Sequence, residues 1–210
     1  MSKAIIFTGG GAPLSLPHSL YEDGDIVVAA DSGYDTAKFF DFPVDLVIGD
    51  LDSTKFFEEI NRLAFKKSPM DKDESDTELA IKESISLGFN EYVLIGGGGY
   101  RMDHLFALYG LFTRYKPPIW WHTKYESLRR VSSFERFNDI AIGQTVSFLP
   151  ARFNETVLVT AKQLVWPLKQ FRLSFDNISL SNRVTDCPLE VFAANMATLF
   201  VGFPVAPKHL

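Results

Sequence analysis

The 210-residue chain is 46% hydrophobic and 22% charged, with a net charge of −5. That is enough apolar material for a real core and excludes a disordered chain, while the acidic balance gives no electrostatic footprint for nucleic acid and opposes anionic membrane surfaces. A single cysteine, Cys187, cannot form an internal disulfide, so a reducing compartment is expected and the thiol reads as a small buried hydrophobe.

The N-terminus, MSKAIIFTGGGAP, carries one lysine and an apolar run too short for a signal sequence. No uninterrupted apolar stretch is long enough to span a bilayer, so a soluble, cytoplasmic protein is expected. The runs AIIF (4–7), DIVVAA (25–30), DLVIG (45–49) and EYVLIG (91–96) are apolar, partly β-branched, and closed by glycine or aspartate. Between them lie DTAKFFDF (35–42), STKFFEEINRLAF (53–65) and SDTELAIKESISLGF (75–89), which carry helix formers. Strands alternating with helices predict a mostly parallel sheet covered on both faces. The last helix is the clearest: Ser75 and Glu78 form a capping box, Ala80, Ile81, Ser84 and Ile85 share a stripe, and Gly88 supplies the stop.

Beyond about residue 136 the pattern changes. TVSFLP (145–150), TVLVTA (156–161), LVWPL (164–168), FRLSF (171–175), ISLS (178–181), LEVFA (189–193) and ATLFVGF (197–203) are short and β-branched or aromatic, separated by Asn, Asp, Pro or Gly. This predicts a C-terminal antiparallel β-sandwich or small barrel, with domains 1–135 and 136–210. PIWWH (118–122) can still be a strand of the first sheet.

In open α/β sheets ligands bind outside the carboxyl ends of the strands. Here those ends read TGGGAP, ADSG, GDLDS and GGGGYRMDH, each with glycine, aspartate or both. Gly9-Gly10-Gly11 is either a loose turn or a backbone cradle for phosphate, and it matches neither a Walker A loop nor GxGxxG. Asp31 and Ser32 can equally cap a helix. Asp50 and Asp52, spaced i, i+2 in extended chain, aim the same way and suit Mg²⁺, which takes one or two carboxylates plus phosphates. In PMDKDESDTEL (69–79), the helix N-terminus accounts for one or two acids, not for all four between Asp71 and Asp76, so a cation is expected there too. Arg101 can hold a phosphate by both ends of its fork. The four histidines (18, 104, 122, 209) lack zinc-ligand spacing. Trp166 in LVWPL is either core or a platform for a flat cationic ring.

ADSG (30–33), GDLDS (49–53), DKDESDTELA (71–80) and GGGGYRMDH (96–104), with LVWPL and SLSN (179–182), resemble the thiamine pyrophosphokinase family over about residues 5–201. Three positions depart from its pattern: Tyr100 and Gln163 stand where it has glycine, and Ser75 where it has threonine. The resemblance implies an ATP-binding α/β domain, a β-sandwich domain completing the thiamine site, and a homodimer with that site at the subunit interface. It implies a transferase that moves the diphosphate of ATP to the thiamine hydroxyl, giving AMP and thiamine diphosphate. On that pattern Asp50, Asp52 and Asp76 hold Mg²⁺, supported by Asp73 and Asp31. Gly9, Gly10, Ser32, Arg101, Asp103 and His104 serve ATP, and Lys72, Trp166, Ser181 and Asn182 serve thiamine. The alternatives are a diphosphokinase for another heterocyclic alcohol such as a pterin, a non-catalytic nucleotide- or thiamine-binding protein, and an aspartyl-phosphate phosphatase built on GDLDS.

Overall fold

The computed structural model describes residues 2–50, 54, 56–60, 64–67, 73–99, 101–194 and 196–205. They fall into two compact units, Met1–Leu111 with Pro118–Tyr125, and Phe112–Pro117 with Glu126–Leu210. Among the described residues no helix is long and apolar enough to cross a membrane.

The first unit holds strands β1 (Ala4–Phe7), β2 (Ile26–Ala30), β3 (Leu46–Gly49), β4 (Phe65–Lys67), β5 (Tyr92–Ile95) and β6 (Trp120–His122). Its helices are α1 (Gly33–Phe39), α2 (Phe57–Ile60), α3 (Asp76–Ser86) and the start of α4 (Met102–Arg114). The strands pair in parallel in the order β6-β5-β1-β2-β3-β4. The chain therefore steps outward from β1 to β4, returns through α3 to β5 on the other flank of β1, and reaches β6 through α4. The order reverses between β1 and β5, which makes the gap at their carboxyl ends the switch point of the sheet. Every residue of β1 and β5 is buried, as strands covered on both faces require. On one face Ala37 of α1 joins Ile5, Phe7, Val27, Val93 and Ile95 in a single cluster.

The helix expected over 53–65 is shorter. Among the described residues only α2 is helical, and 65–67 pairs in parallel with Val47–Gly49 as the edge strand β4. Pairing with β3 overrides a helical propensity that was only a weak prior. PIWWH does contribute a strand: β6 pairs with Val93–Ile95.

Helix α3 starts and stops as its sequence dictates. Ser75 is extended (φ −72°, ψ 156°) and its hydroxyl accepts from the Glu78 N–H at 3.2 Å. At the other end Gly88 takes φ +94° and donates to Ile85 O at 3.0 Å, while Phe89 donates to Ser84 O at 3.0 Å, a Schellman closure. The stripe is narrower than expected. Ala80, Ile81 and Ser84 are buried, but Ile85 lies at the margin, 39% exposed.

The second unit holds β7 (Glu126–Val131), β8 (Phe134–Phe137), β9 (Thr145–Pro150), β10 (Val157–Ala161), β11 (Leu168–Leu173), β12 (Ser179–Arg183), β13 (Leu189–Ala193) and β14 (Leu199–Pro204). Two antiparallel sheets form, β12-β9-β14-β7 and β11-β10-β13-β8. Val131, Val146, Phe148, Leu199 and Val201 from the first meet Val157, Val159, Leu173, Leu189 and Val191 from the second in one buried cluster. The two-residue spacing within each strand is that of a sandwich interior. Strands β7 and β8 escaped the sequence reading because Arg129, Arg130, Glu135 and Arg136 break their apolar runs. Arg129 and Glu135 in fact pair at 3.1 Å. Cys187 is exposed rather than buried, with its thiol 3.0 Å from Asn138 O.

Helix α1 begins hard against the end of β1: a Cβ on Gly33 would lie 2.3 Å from Phe7 O. Gly33→Ala should therefore cost roughly 2 kcal/mol or more, because backbone has to move. Gly143, at φ +87° with nothing within 4 Å of an added Cβ, provides the control. Its alanine variant meets only the left-handed backbone, about 1–2 kcal/mol. Urea unfolding of both variants compares the two costs, and equal midpoints would show that β1 yields freely to α1.

His122 at the end of β6 is 4% exposed, and burial depresses its pKa from 6.5 to about 4. The unfolded chain then binds more protons than the fold between those values. The stability held above pH 6.5 should fall by about 3 kcal/mol as pH drops towards 4. His122→Gln should flatten that part of the urea-midpoint profile; parallel profiles would remove His122 as the cause.

Candidate active site

The carboxyl ends of β1 and β5 leave the sheet as two glycine loops that touch main chain to main chain. Gly97 donates to Gly9 O at 3.0 Å. A Cβ on Gly11 would lie 2.9 Å from Gly99 N, and one on Gly96 would lie 2.2 Å from Thr8 O. Gly10, Gly11, Gly96 and Gly97 all have φ between +75° and +95°, where side chains are disfavoured. Glycines here keep side chains out of the switch point and bring main chain to it, which is the kind of wall a phosphate can approach closely.

A cavity of about 760 Å³ opens at this point. Gly9, Gly10, Asp31, Ser32 and Asp76 contribute to its wall, as do Arg101, Asp103 and His104 at the start of α4. The structure thus gathers eight of the site residues expected from sequence around one space. Asp50 follows β3, one strand beyond β2, and is half-buried; Asp73 is exposed just ahead of the Ser75 cap. Neither is part of the wall. Asp52 and Lys72 lie outside the described residues, as does Tyr100.

Asp31 is not a helix cap in the ordinary sense. It sits at φ +47°, a region that a non-glycine residue occupies at a cost and that clusters at functional sites. Its N–H donates to Ile48 O at 2.8 Å and its carbonyl accepts from Tyr34 at 3.1 Å, which hold the bend. A Cβ on Gly49 would lie 3.2 Å from Asp31 Cα, so the end of β3 passes close to Asp31, and Asp50 is the next residue along. Ser32 is already helical (φ −60°, ψ −6°) and makes no capping hydrogen bond; its hydroxyl stands 2.6 Å from where a Gly9 Cβ would be.

Helix α3 brings Asp76 to the wall through a contact the sequence did not announce. The hydroxyls of Thr8, at the end of β1, and Thr77, in the first turn of α3, are 2.5 Å apart. Both residues line the cavity, with Ser75, Gly97, Gly99, Ala107 and Leu108. Position alone could have found Thr8 (last residue before the first glycine loop) and the pair Ala107 and Leu108 (one turn beyond His104). Arg101 donates from Nε and Nη2 to the two carboxylate oxygens of Asp103, at 3.1 and 2.5 Å. That hydrogen bond holds the Asp103 carboxyl below the usual range and raises Arg101. The bidentate fork on a carboxylate is the geometry by which arginine also takes a phosphate.

Among the described residues no three His, Cys, Asp or Glu side chains form a metal centre. Oxygen donors at the ends of β2, β3 and α3 fit Mg²⁺ in its usual role, where one or two carboxylates act with substrate phosphates and water. They do not fit zinc, which prefers a closed set of nitrogen or sulfur ligands.

Trp166, Ser181 and Asn182 belong to the second unit. Trp166 is 58% exposed, with the Arg183 guanidinium 5.9 Å from its ring. Ser181 is exposed at φ +52° where β12 is bulged, and its N–H donates to Ser147 Oγ at 3.1 Å. Asn182 is 1% exposed and bonds to the Trp166 main chain.

The family model for the catalytic domain of thiamin pyrophosphokinase matches residues 17–119. None of the curated proteins matches the chain by sequence. Among solved structures, thiamine pyrophosphokinase from Bacillus subtilis aligns with a TM-score of 0.77 at 16% identity, over 98% of this chain and 99% of that one. Thiamin pyrophosphokinase from Geobacillus thermodenitrificans aligns at 0.76 and 22% identity over 100% of both chains. The Candida albicans enzyme aligns at 0.72 and 13% identity, over 97% of this chain and 90% of that one. At such identities the structures speak for the fold, an α/β sheet followed by an antiparallel sandwich. The family model covers α1, α3, the second glycine loop and the Arg101–His104 turn, and over residues 17–119 the chain is similar to the catalytic domain of the thiamin pyrophosphokinase family.

Proposed function

We propose that the protein is an ATP:thiamine diphosphotransferase: ATP + thiamine → AMP + thiamine diphosphate + H⁺. The observation that carries this reading is the glycine-walled cavity at the switch point, with carboxylates and a forked arginine on the same wall. The thiamine hydroxyl oxygen bonds to the β-phosphorus, the bond from that phosphorus to the α,β-bridging oxygen breaks, and AMP leaves with the electron pair. The hydroxyl proton is lost to the medium, and no side chain is assigned as its acceptor.

Residues 1–135 serve ATP and residues 136–210 serve thiamine in this reading. Gly9 and Gly10 present main chain to the phosphates, with Ser32 beside them. Arg101 exchanges the Asp103 carboxylate for phosphate oxygens, and His104 follows on the same turn. Asp50, Asp52 and Asp76 hold Mg²⁺, with Asp31 and Asp73 supporting them. When bound, the ion neutralises charge on the transferred phosphates. Trp166 offers its ring to thiamine, with Ser181 and Asn182 beside it and Lys72 near the junction of the two substrates. The assembly is a cytoplasmic homodimer with thiamine bound at the subunit interface. Positioning and electrostatics carry the rate enhancement.

Incubation with ATP, Mg²⁺ and thiamine, followed by separation of nucleotides and thiamine esters, tests the reaction. AMP and thiamine diphosphate should form in equal amounts. ADP with thiamine monophosphate would overturn diphosphoryl transfer, and turnover of a hydroxymethyl pterin in place of thiamine would overturn the substrate. Arg101→Ala should raise the KM for ATP by roughly 10- to 100-fold, the range expected for charge-assisted hydrogen bonds to phosphate. Asp76→Asn should lower kcat by about 100-fold or more with an unchanged urea midpoint. A fully active Asp76→Asn would take that carboxylate out of the chemistry.

A further inference from the structure

Trp166 stands on a support that its own sequence motif does not reveal. Its N–H donates to Asn182 Oδ1 at 3.2 Å, and Asn182 Nδ2 donates back to Trp166 O at 2.7 Å. The same Oδ1 accepts from the Arg183 N–H at 2.9 Å. These bonds continue a short ladder: Leu164 bridges Val184 in antiparallel fashion, Thr185 donates to Gln163 O at 3.0 Å, and Val165 donates to Arg183 O at 2.9 Å. The ladder cannot run on in the ordinary way, because Pro167 has no N–H and restricts the residue before it to extended backbone. The Asn182 amide takes the place of the next rung and satisfies both main-chain groups of Trp166.

The contrast in exposure shows what the clamp is for. Asn182 is 1% exposed, so it cannot touch a ligand lying outside, whereas Trp166 is 58% exposed. A fully bonded main chain fixes the point from which the exposed indole projects, and ordering that anchor beforehand removes part of the cost of binding. The ring already has a cation over it, the Arg183 guanidinium. We propose that Asn182 is a positioning residue for thiamine capture, acting through the Trp166 main chain and not by contact with thiamine. This rests on the reading that Trp166 meets thiamine.

The test uses the full chain and thiamine itself, in three parts. Isothermal titration with thiamine, and steady-state kinetics with ATP, are run on wild type, Trp166→Ala and Asn182→Ser. Asn182→Ser should bind thiamine at least ~10-fold more weakly, with the KM for ATP within about 2-fold and kcat at saturating thiamine within about 3-fold. Fluorine NMR of the 5-fluorotryptophan-labelled wild type, with Trp166 assigned by Trp166→Phe, should show the Trp166 resonance relaxing as slowly tumbling, ordered side chain before thiamine is added. Weaker thiamine binding in Trp166→Ala but not in a folded Asn182→Ser overturns the clamp alone. Unchanged thiamine binding in both overturns the placing of thiamine on Trp166 and the clamp with it. A mobile Trp166 resonance in the wild type overturns the clamp even where Asn182→Ser fails to fold.

Discussion

The first unit depends on one close approach, that of the main chain leaving β1 to the main chain leaving β5. Two strands running parallel, with the chain turning away in opposite directions beyond them, open a gap at the switch point. Side chains would fill that gap, and close main chain or a left-handed backbone works against them at the glycines. The Gly96 position is closed by Thr8 O and the Gly11 position by Gly99 N. The bond from Gly97 to Gly9 O ties the loops together. The rest of the cavity wall follows from this contact. Thr8, at the root of the first loop, meets Thr77 and so brings the N-terminal turn of α3, with Asp76, against the opening. The second loop leads to α4, with Arg101 just before its first turn and Asp103 and His104 on it.

The close approach also explains the bend at Asp31. Helix α1 can start only where Gly33 passes within reach of Phe7 O, so the chain has to turn sharply between β2 and that glycine. The turn is completed by Asp31 in the left-handed region, a conformation that glycine would adopt without strain. Bonds to Ile48 O and from the Tyr34 N–H hold a carboxylate residue in that conformation.

Much of this was legible in the sequence because the signals were local. Apolar runs closed by glycine or aspartate marked β1, β2, β3 and β5, and Ser75 and Gly88 marked the ends of α3. The site residues on the glycine loops and around Arg101 followed from one topological rule about strand ends. What stayed hidden depended on contacts between distant segments. Phe65–Lys67 looks helical until β3 is beside it. The β7 and β8 strands look like loop until Arg129 and Glu135 neutralise each other. No spacing rule links Thr8 with Thr77, 69 positions apart, or Trp166 with Asn182, 16 apart.

The charge around the cavity carries the argument one step further. Its described wall includes Asp31, Asp76 and Asp103 but only Arg101 among arginines and lysines, and Arg101 is already paired with Asp103. A polyphosphate approaching such a wall meets more negative than positive charge. A ligand of that kind is accepted only if it arrives with cations of its own, and hard divalent cations are the ones that oxygen ligands share readily with phosphates. On the proposed reading, the acidity that opposes free ATP at this cavity would favour its Mg²⁺ complex instead.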